Sequence, residues 1–140
     1  MLVVCGACKT VNRVNPERAE QPVCGKCKAA LDPRTPGFPV EGTDSNFELE
    51  VVRAGVPVLV DFWSDSCPPC RRLEPHLKEL ARELAGKLKV VKISVDNNRA
   101  LPGAFGIRAV PTLILYRGKE IARTSGYLSL PELRTFVKQA

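Results

Sequence analysis

Four of the six cysteines fall within the first 27 residues as two short pairs, Cys5 and Cys8 in "CGAC", Cys24 and Cys27 in "CGKC". The spacing reads C-x₂-C-x₁₅-C-x₂-C. The surrounding stretch, "MLVVCGACKTVNRVNPERAEQPVCGKCKAAL", holds too few large apolar side chains for a core of its own. A segment this small needs a metal or disulfides. The spacing lies in the range of tetrahedral zinc sites, so residues 1–31 are expected to form a module in which Cys5, Cys8, Cys24 and Cys27 bind one zinc ion. Four thiolates close the coordination shell, leaving no position for water, so such a site is structural. Metal binding would then supply much of the module's folding free energy. Two disulfides, or a coincidence of spacing, are the other readings. The N-terminus has no basic region ahead of its short apolar run, so no secretory signal and a cytoplasmic location are expected. Thiols stay reduced there, which favours the metal.

The third pair, Cys67 and Cys70, has no fourth C-x-x-C near it to complete a second metal site. Between it and the module, "DPRTPGFPVEGT" contains three prolines and two glycines, enough to interrupt regular structure. A linker is expected at 32–39 and a separate domain at 40–140.

In that domain "DSNFELEVVRAG" is expected as a helix, with Ser45 and Glu48 at capping-box spacing. "VPVLVDFW" reads as a strand buried on both faces. "RRLEPHLKELARELAG" puts Leu73, Leu77, Leu80 and Leu84 on one helical face, with Pro75 expected to kink it. "KLKVVKISVD" is a strand, and "NRALPGAFG" a short helix interrupted by Pro102. "TLILY" and "EIARTSG" are strands joined at Arg117-Gly118. "SLPELRTFVKQA" is a closing helix capped by Ser129 and Glu132. This alternation implies an α/β fold with a central sheet, parallel in its first half, and helices on both faces.

No apolar run approaches the roughly 18 residues that a membrane span requires. The formal charge of +6 raises nucleic acid as a partner, but the basic residues are scattered. A solvated surface is the better reading.

Cys67 and Cys70 follow a buried strand and open an amphipathic helix, the setting of a redox dithiol. A Cys67 thiolate at the helix N-terminus faces free N–H groups and the positive end of the dipole, which lowers its pKa. Cys70, one turn on, is expected to be the more shielded thiol. His76, the only histidine, is expected to point to solvent.

"VLVDFWSDSCPPC" resembles the active-site segment of thioredoxins, "FGIRAVPTLILY" their cis-proline segment and "SGYL" the nearby glycine loop. The resemblance covers roughly residues 40–140. With the four-cysteine module it extends, over nearly the whole chain, to the zinc-containing thioredoxin-2 type. It implies a thioredoxin fold, a mixed five-stranded sheet flanked by four helices, with a small zinc-ribbon-like module. It implies a protein-disulfide reductase with Cys67 as nucleophile and Cys70 as resolving cysteine. Asp61 matches the family's buried aspartate and Lys92 its neighbouring lysine. Trp63 matches the tryptophan beneath the site, Pro111 the cis-proline, and Gly126 the groove glycine. Val110 would offer backbone to a bound peptide, and Pro68 borders the same groove. Burial within "VLVDFW" is expected to raise the pKa of Asp61, suiting it to take a proton from Cys70. Protein disulfides are the implied substrates, and a flavin reductase using NADPH is the implied electron donor.

Two positions depart from the family pattern. Pro68-Pro69 replaces the usual Gly-Pro, and Ser66 the usual tryptophan. Pro68 removes an N–H that could stabilise a Cys67 thiolate. Because Pro69 follows, regular helix is expected to begin near Pro69 or Cys70. The unusual dipeptide keeps open a thiol oxidant or isomerase. A partner-binding zinc module on a thioredoxin scaffold is a further alternative, opposed by the intact dithiol.

Overall fold

The computed structural model describes residues 1–140. Its centre is a five-stranded sheet of β3 (Val40–Gly42), β5 (Lys89–Ser94), β4 (Val58–Trp63), β6 (Thr112–Tyr116) and β7 (Glu120–Ser125), in that spatial order. β3, β5 and β4 run parallel, and β6 and β7 are antiparallel additions. The α/β architecture and the half-parallel sheet follow the sequence expectation.

β4 shows why the sheet is buried twice. Val58, Val60 and Phe62 face one layer, with Phe47, Val51, Val91, Ile93 and Ile114. Leu59 faces the other, with Leu73, Leu77, Leu80, Leu113 and Leu133. The strand's period of two thus feeds both cores. The short helix α2 (Ala100–Ala104) adds Leu101 to the first core, and the second core is roofed by helices α1 (Pro68–Glu83) and α3 (Leu130–Val137). Helix α1 continues through Pro75 without interruption. The capping box at α3 is present: Glu132 N–H donates to Ser129 Oγ at 3.3 Å, and Ser129 N–H to Glu132 Oε1 at 3.1 Å.

Two local expectations are corrected. Residues Glu48–Val52 form a widened π-type turn, in which Arg53 N–H reaches Glu48 C=O, and Ser45 and Glu48 do not cap it. The reciprocal pair is Thr43 with Asn46: Thr43 N–H donates to Asn46 Oδ1 at 2.7 Å and Asn46 N–H to Thr43 Oγ1 at 3.2 Å. A threonine two residues earlier thus supplies the hydroxyl. The second concerns α1, which begins at Pro68 rather than at Pro69 or Cys70. The two prolines occupy the first helical positions, whose missing N–H groups would be unpartnered in any case. The Cys67 carbonyl already accepts from Arg71 N–H at 3.2 Å.

The N-terminal module is a hairpin of β1 (Leu2–Val4) and β2 (Val11–Arg13) followed by a bridge between Val23 and Ala30. Its core is small: Val3, Cys5, Val14, Cys24 and Leu31. The segment read as a linker is a packed strap. Thr35 is fully buried and its carbonyl accepts from Gly86 N–H, while Pro36 C=O accepts from Val4 N–H at 2.8 Å. Gly37 sits at φ +86°, and a Cβ there would lie 2.5 Å from Val4 Cβ, so only glycine permits this approach. Gly6 lies against the Ala85 carbonyl just past α1, and Lys9 Nζ donates to Glu83 C=O at 2.8 Å.

Candidate active site and metal cluster

The two C-G-x-C turns fold alike. In the first, Cys5 C=O accepts from Lys9 N–H at 2.9 Å and Cys5 N–H donates to Thr10 C=O at 2.8 Å. In the second, Cys24 C=O accepts from Lys28 N–H at 3.0 Å and Cys24 N–H donates to Ala29 C=O at 2.8 Å. Lys9 and Lys28 close the turns in the left-handed region, at φ 64° and 66°. The shared C-G-x-C-K pattern was the sequence signal for this matched pair.

The turns bring all four sulfurs within 4.8 Å of one another. Cys5 Sγ lies 3.5 Å from Cys27 Sγ, and Cys8 Sγ 3.6 Å from Cys24 Sγ. A tetrahedron with metal–sulfur distances of about 2.3 Å has edges of about 3.8 Å, so the donor set fits a metal ion of that size. The cluster could therefore bind a metal ion. Electrostatics give the same answer. Cys24 is lowered to about 6, chiefly by a hydrogen bond from the Cys27 backbone. At Cys27 the Ala29 backbone favours the thiolate, yet Cys5, burial, Cys8 and Cys24 outweigh it and push the thiol up to about 11. Crowding of the sulfurs thus disfavours further thiolates, and a cation among them would relieve that repulsion.

The third pair is built by the β4–α1 junction. Cys67 is the N-cap of α1, and its Sγ accepts the Cys70 N–H at 3.2 Å. Since Pro68 and Pro69 have no N–H, this is the first amide the helix can offer. The two sulfurs are joined as a disulfide, with Cα atoms 5.3 Å apart. Cys67 Sγ lies 3.5 Å from the Val110 carbonyl, and the Val110–Pro111 peptide is cis. Pro111 C=O accepts from Gly126 N–H at 2.8 Å, with Gly126 at φ +96°. The structure thus gathers Cys67, Cys70 and Pro111, all buried, with the half-buried Val110 and Gly126, and Pro68 follows Cys67 as an exposed residue.

In the closed pair both cysteines are buried, Cys67 at 8% and Cys70 at 5% exposed, with Cys67 tucked against Val110. The two differ in donors: Cys67 Sγ caps the helix and accepts an amide N–H, whereas Cys70 lies within its first turn.

Asp61, on β4, is 1% exposed, and its Oδ1 has no hydrogen-bond partner. Burial drives its pKa up to about 7; Glu74 adds to the rise, and the charge of Lys92 opposes it. Lys92 is the parallel register partner of Asp61 on β5. Its Nζ sits 4.6 Å from the centre of the half-buried Trp63 ring.

Three features were not foreseen. Asp96 ties down the turn before Cys67: Ser64 Oγ donates to Asp96 Oδ2 at 2.9 Å, Asp65 N–H donates to the same oxygen at 3.1 Å, and Ser66 Oγ is 3.3 Å from Ser64 Oγ. A hydrogen-bonded turn thus stands where the tryptophan is absent. His76 is half-buried rather than free in solvent, with Nε2 2.7 Å from Tyr127 Oη. Glu74 pairs with Lys92 at 3.4 Å. Its signal in sequence was its place four residues after Cys70, on the same helical face.

A dithiol capping a helix beside a cis-proline loop, on a half-parallel five-stranded sheet, defines a thiol–disulfide oxidoreductase that acts on protein disulfides. The sequence profile of the thioredoxin family matches residues 38–139. The chain is 45% identical over 97 residues to "Thioredoxin" of Haemophilus influenzae, covering 69% of this chain and 91% of that one. It is 42% identical over 99 residues to "Thioredoxin" of Pseudomonas aeruginosa, covering 70% and 92%. It is 36% identical over 141 positions to "Thioredoxin C-3" of Corynebacterium nephridii, covering 99% and 94%. The chain belongs to the thioredoxin family.

Proposed function

We propose that residues 40–140 reduce protein disulfides in two steps while residues 1–31 serve as a structural zinc module. A Cys67 thiolate attacks one sulfur of a substrate disulfide. A mixed disulfide forms, and the other substrate sulfur leaves as a thiolate. The Cys70 thiol loses its proton to Asp61 and attacks Cys67 Sγ. The Cys67–Cys70 disulfide forms and the second substrate sulfur is released, so two electrons pass to the substrate. Trp63, Pro68, Val110, Pro111 and Gly126 border the substrate peptide, and Lys92 sets the charge near Asp61. A flavin reductase using NADPH returns the pair to the dithiol in the cytoplasm. Reduction is favoured over the oxidant and isomerase readings by the relatives, and over a binding scaffold by the intact dithiol.

The observation that carries this reading is Cys67 Sγ as N-cap acceptor beside Val110, with a buried, unpaired Asp61 on the neighbouring strand. Insulin reduction with dithiothreitol as electron source tests it. Precipitation of the freed insulin chain should run well above the dithiothreitol background; a rate equal to background refutes it.

The four-sulfur cluster supports zinc as the metal, since an all-thiolate tetrahedral set suits that ion. Freshly purified reduced protein should contain one zinc per chain, and Cys5→Ser should lose it and disorder the hairpin. Insulin reduction should persist in Cys5→Ser at a measurable rate. Elemental analysis finding less than a tenth of an equivalent of zinc in the unmodified chain would sink this assignment.

A further inference from the structure

Asp61 lies beside a lysine that is engaged elsewhere. Lys92 shares its register position across β4 and β5, yet it forms its ion pair with Glu74, at 3.4 Å, and none with Asp61. Asp61 Oδ1 is left with no partner. Lys92 is confined: its side chain is 18% exposed, and its ammonium rests over the Trp63 ring. Glu74 reaches this spot from α1, one turn beyond Cys70, and also pairs with the outer Lys78 at 3.6 Å. The charged groups that act on Asp61 are few. β5 contributes Lys92 and α1 contributes Glu74, while β6 sets the uncharged Leu113 opposite it.

We infer that Glu74 is a positioning residue for the proton-transfer step: by holding the Lys92 ammonium off Asp61, it leaves the Asp61 carboxylate basic enough to take the proton of Cys70. The inference rests on the reading of Asp61 as that acceptor. A lysine paired directly to Asp61 would stabilise the carboxylate and weaken it as a base. Glu74 acts twice against this. It supplies the competing partner, and its own negative charge disfavours a second one nearby, in line with the upward influence of Glu74 on Asp61.

The test is Glu74→Gln, which keeps the shape and removes the charge. Glu74 is partly exposed, so the fold should survive. The titration of Asp61 in the reduced protein would be followed by ¹³C NMR of its carboxyl. Release of a pre-formed Cys67 mixed disulfide would be followed by stopped flow across pH. Both midpoints should fall by about half a pH unit or more, as expected when one nearby like charge is removed. Glu74→Lys should lower them further. In an Asp61→Asn background, Glu74→Gln should shift the release profile no further. Unchanged midpoints in Glu74→Gln, with Asp61→Asn still slow to resolve, overturn the role of Glu74 and leave Asp61 as acceptor. A shift that persists in the Asp61→Asn background also overturns it, because Glu74 then acts on another group. Wild-type resolution in Asp61→Asn overturns the acceptor reading and Glu74's role with it.

Discussion

Cys70→Ser should accumulate covalent adducts with disulfide-containing proteins, whereas Cys67→Ser should form none and lose disulfide reduction altogether. The asymmetry follows from the helix start. Cys67 Sγ sits where the first available amide of α1 donates, at the positive end of the helix dipole. A thiolate is favoured there, and the thiolate is the attacking species. Cys70 lies inside the first turn, and in the proposed mechanism it makes the second attack only. Without Cys70 the mixed disulfide has no internal way out. Without Cys67 nothing starts the exchange. Both variants should keep their metal, because the four N-terminal thiols are separate from this pair. Non-reducing electrophoresis after exposure to an oxidised protein decides the matter. Adducts on Cys67→Ser and none on Cys70→Ser would reverse the two roles. No adduct on either, with wild type active, would remove the two-step mechanism.

Asp61→Asn should stabilise the fold and slow resolution. The ordinary aspartate value is about 3.9, and burial pushes Asp61 up to about 7 in the folded chain. Below about pH 4 the carboxyl is protonated in both states and has no differential effect. Between pH 4 and 7 the unfolded chain releases a proton that the folded chain keeps, so stability falls as pH rises. Above pH 7 both states are ionised, and the full cost of burying the charge remains. Three pH units correspond to about 4 kcal/mol. Asparagine has nearly the shape and polarity of the neutral carboxyl, so the gain should approach that figure at pH 8 and shrink at pH 4. Denaturant midpoints of wild type and variant across pH measure it. An equal gain at both extremes would show that Asp61 does not titrate in this window. Resolution of the mixed disulfide should slow by about tenfold or more at pH 7, since the proton of Cys70 loses its acceptor. Formation of the mixed disulfide should change far less.

The sequence carried the sheet and both cores because their periodicities are plain. Valine and leucine alternate along β4, and Leu73, Leu77 and Leu80 recur along α1. It also carried both cysteine constellations, since their chemistry depends on spacing along the chain. What it could not carry depends on side chains meeting across elements. Nothing in "DSNFELE" says that Thr43, not Ser45, will find its partner, because two hydroxyls compete within one turn. Glu74, Asp96 and Tyr127 each gain meaning from a residue 18 to 51 positions away. The prolines and glycines of 32–39 signal a break in regular structure. They do not distinguish a loose tether from a strap pinned at Thr35 and Pro36.

Helix α1 has a sulfur site at each end. Cys67 caps its start, while Lys9, next to Cys8, grips the Glu83 carbonyl at its finish. Sixteen helical residues span about 24 Å. Thiol–disulfide exchange requires sulfur to touch sulfur, so the oxidised redox pair cannot hand its disulfide to the four N-terminal thiols of its own chain. Any such transfer has to pass through a second molecule. The helix therefore works as an insulating spacer, and one small protein can carry a reactive dithiol and four further thiols without internal scrambling between them.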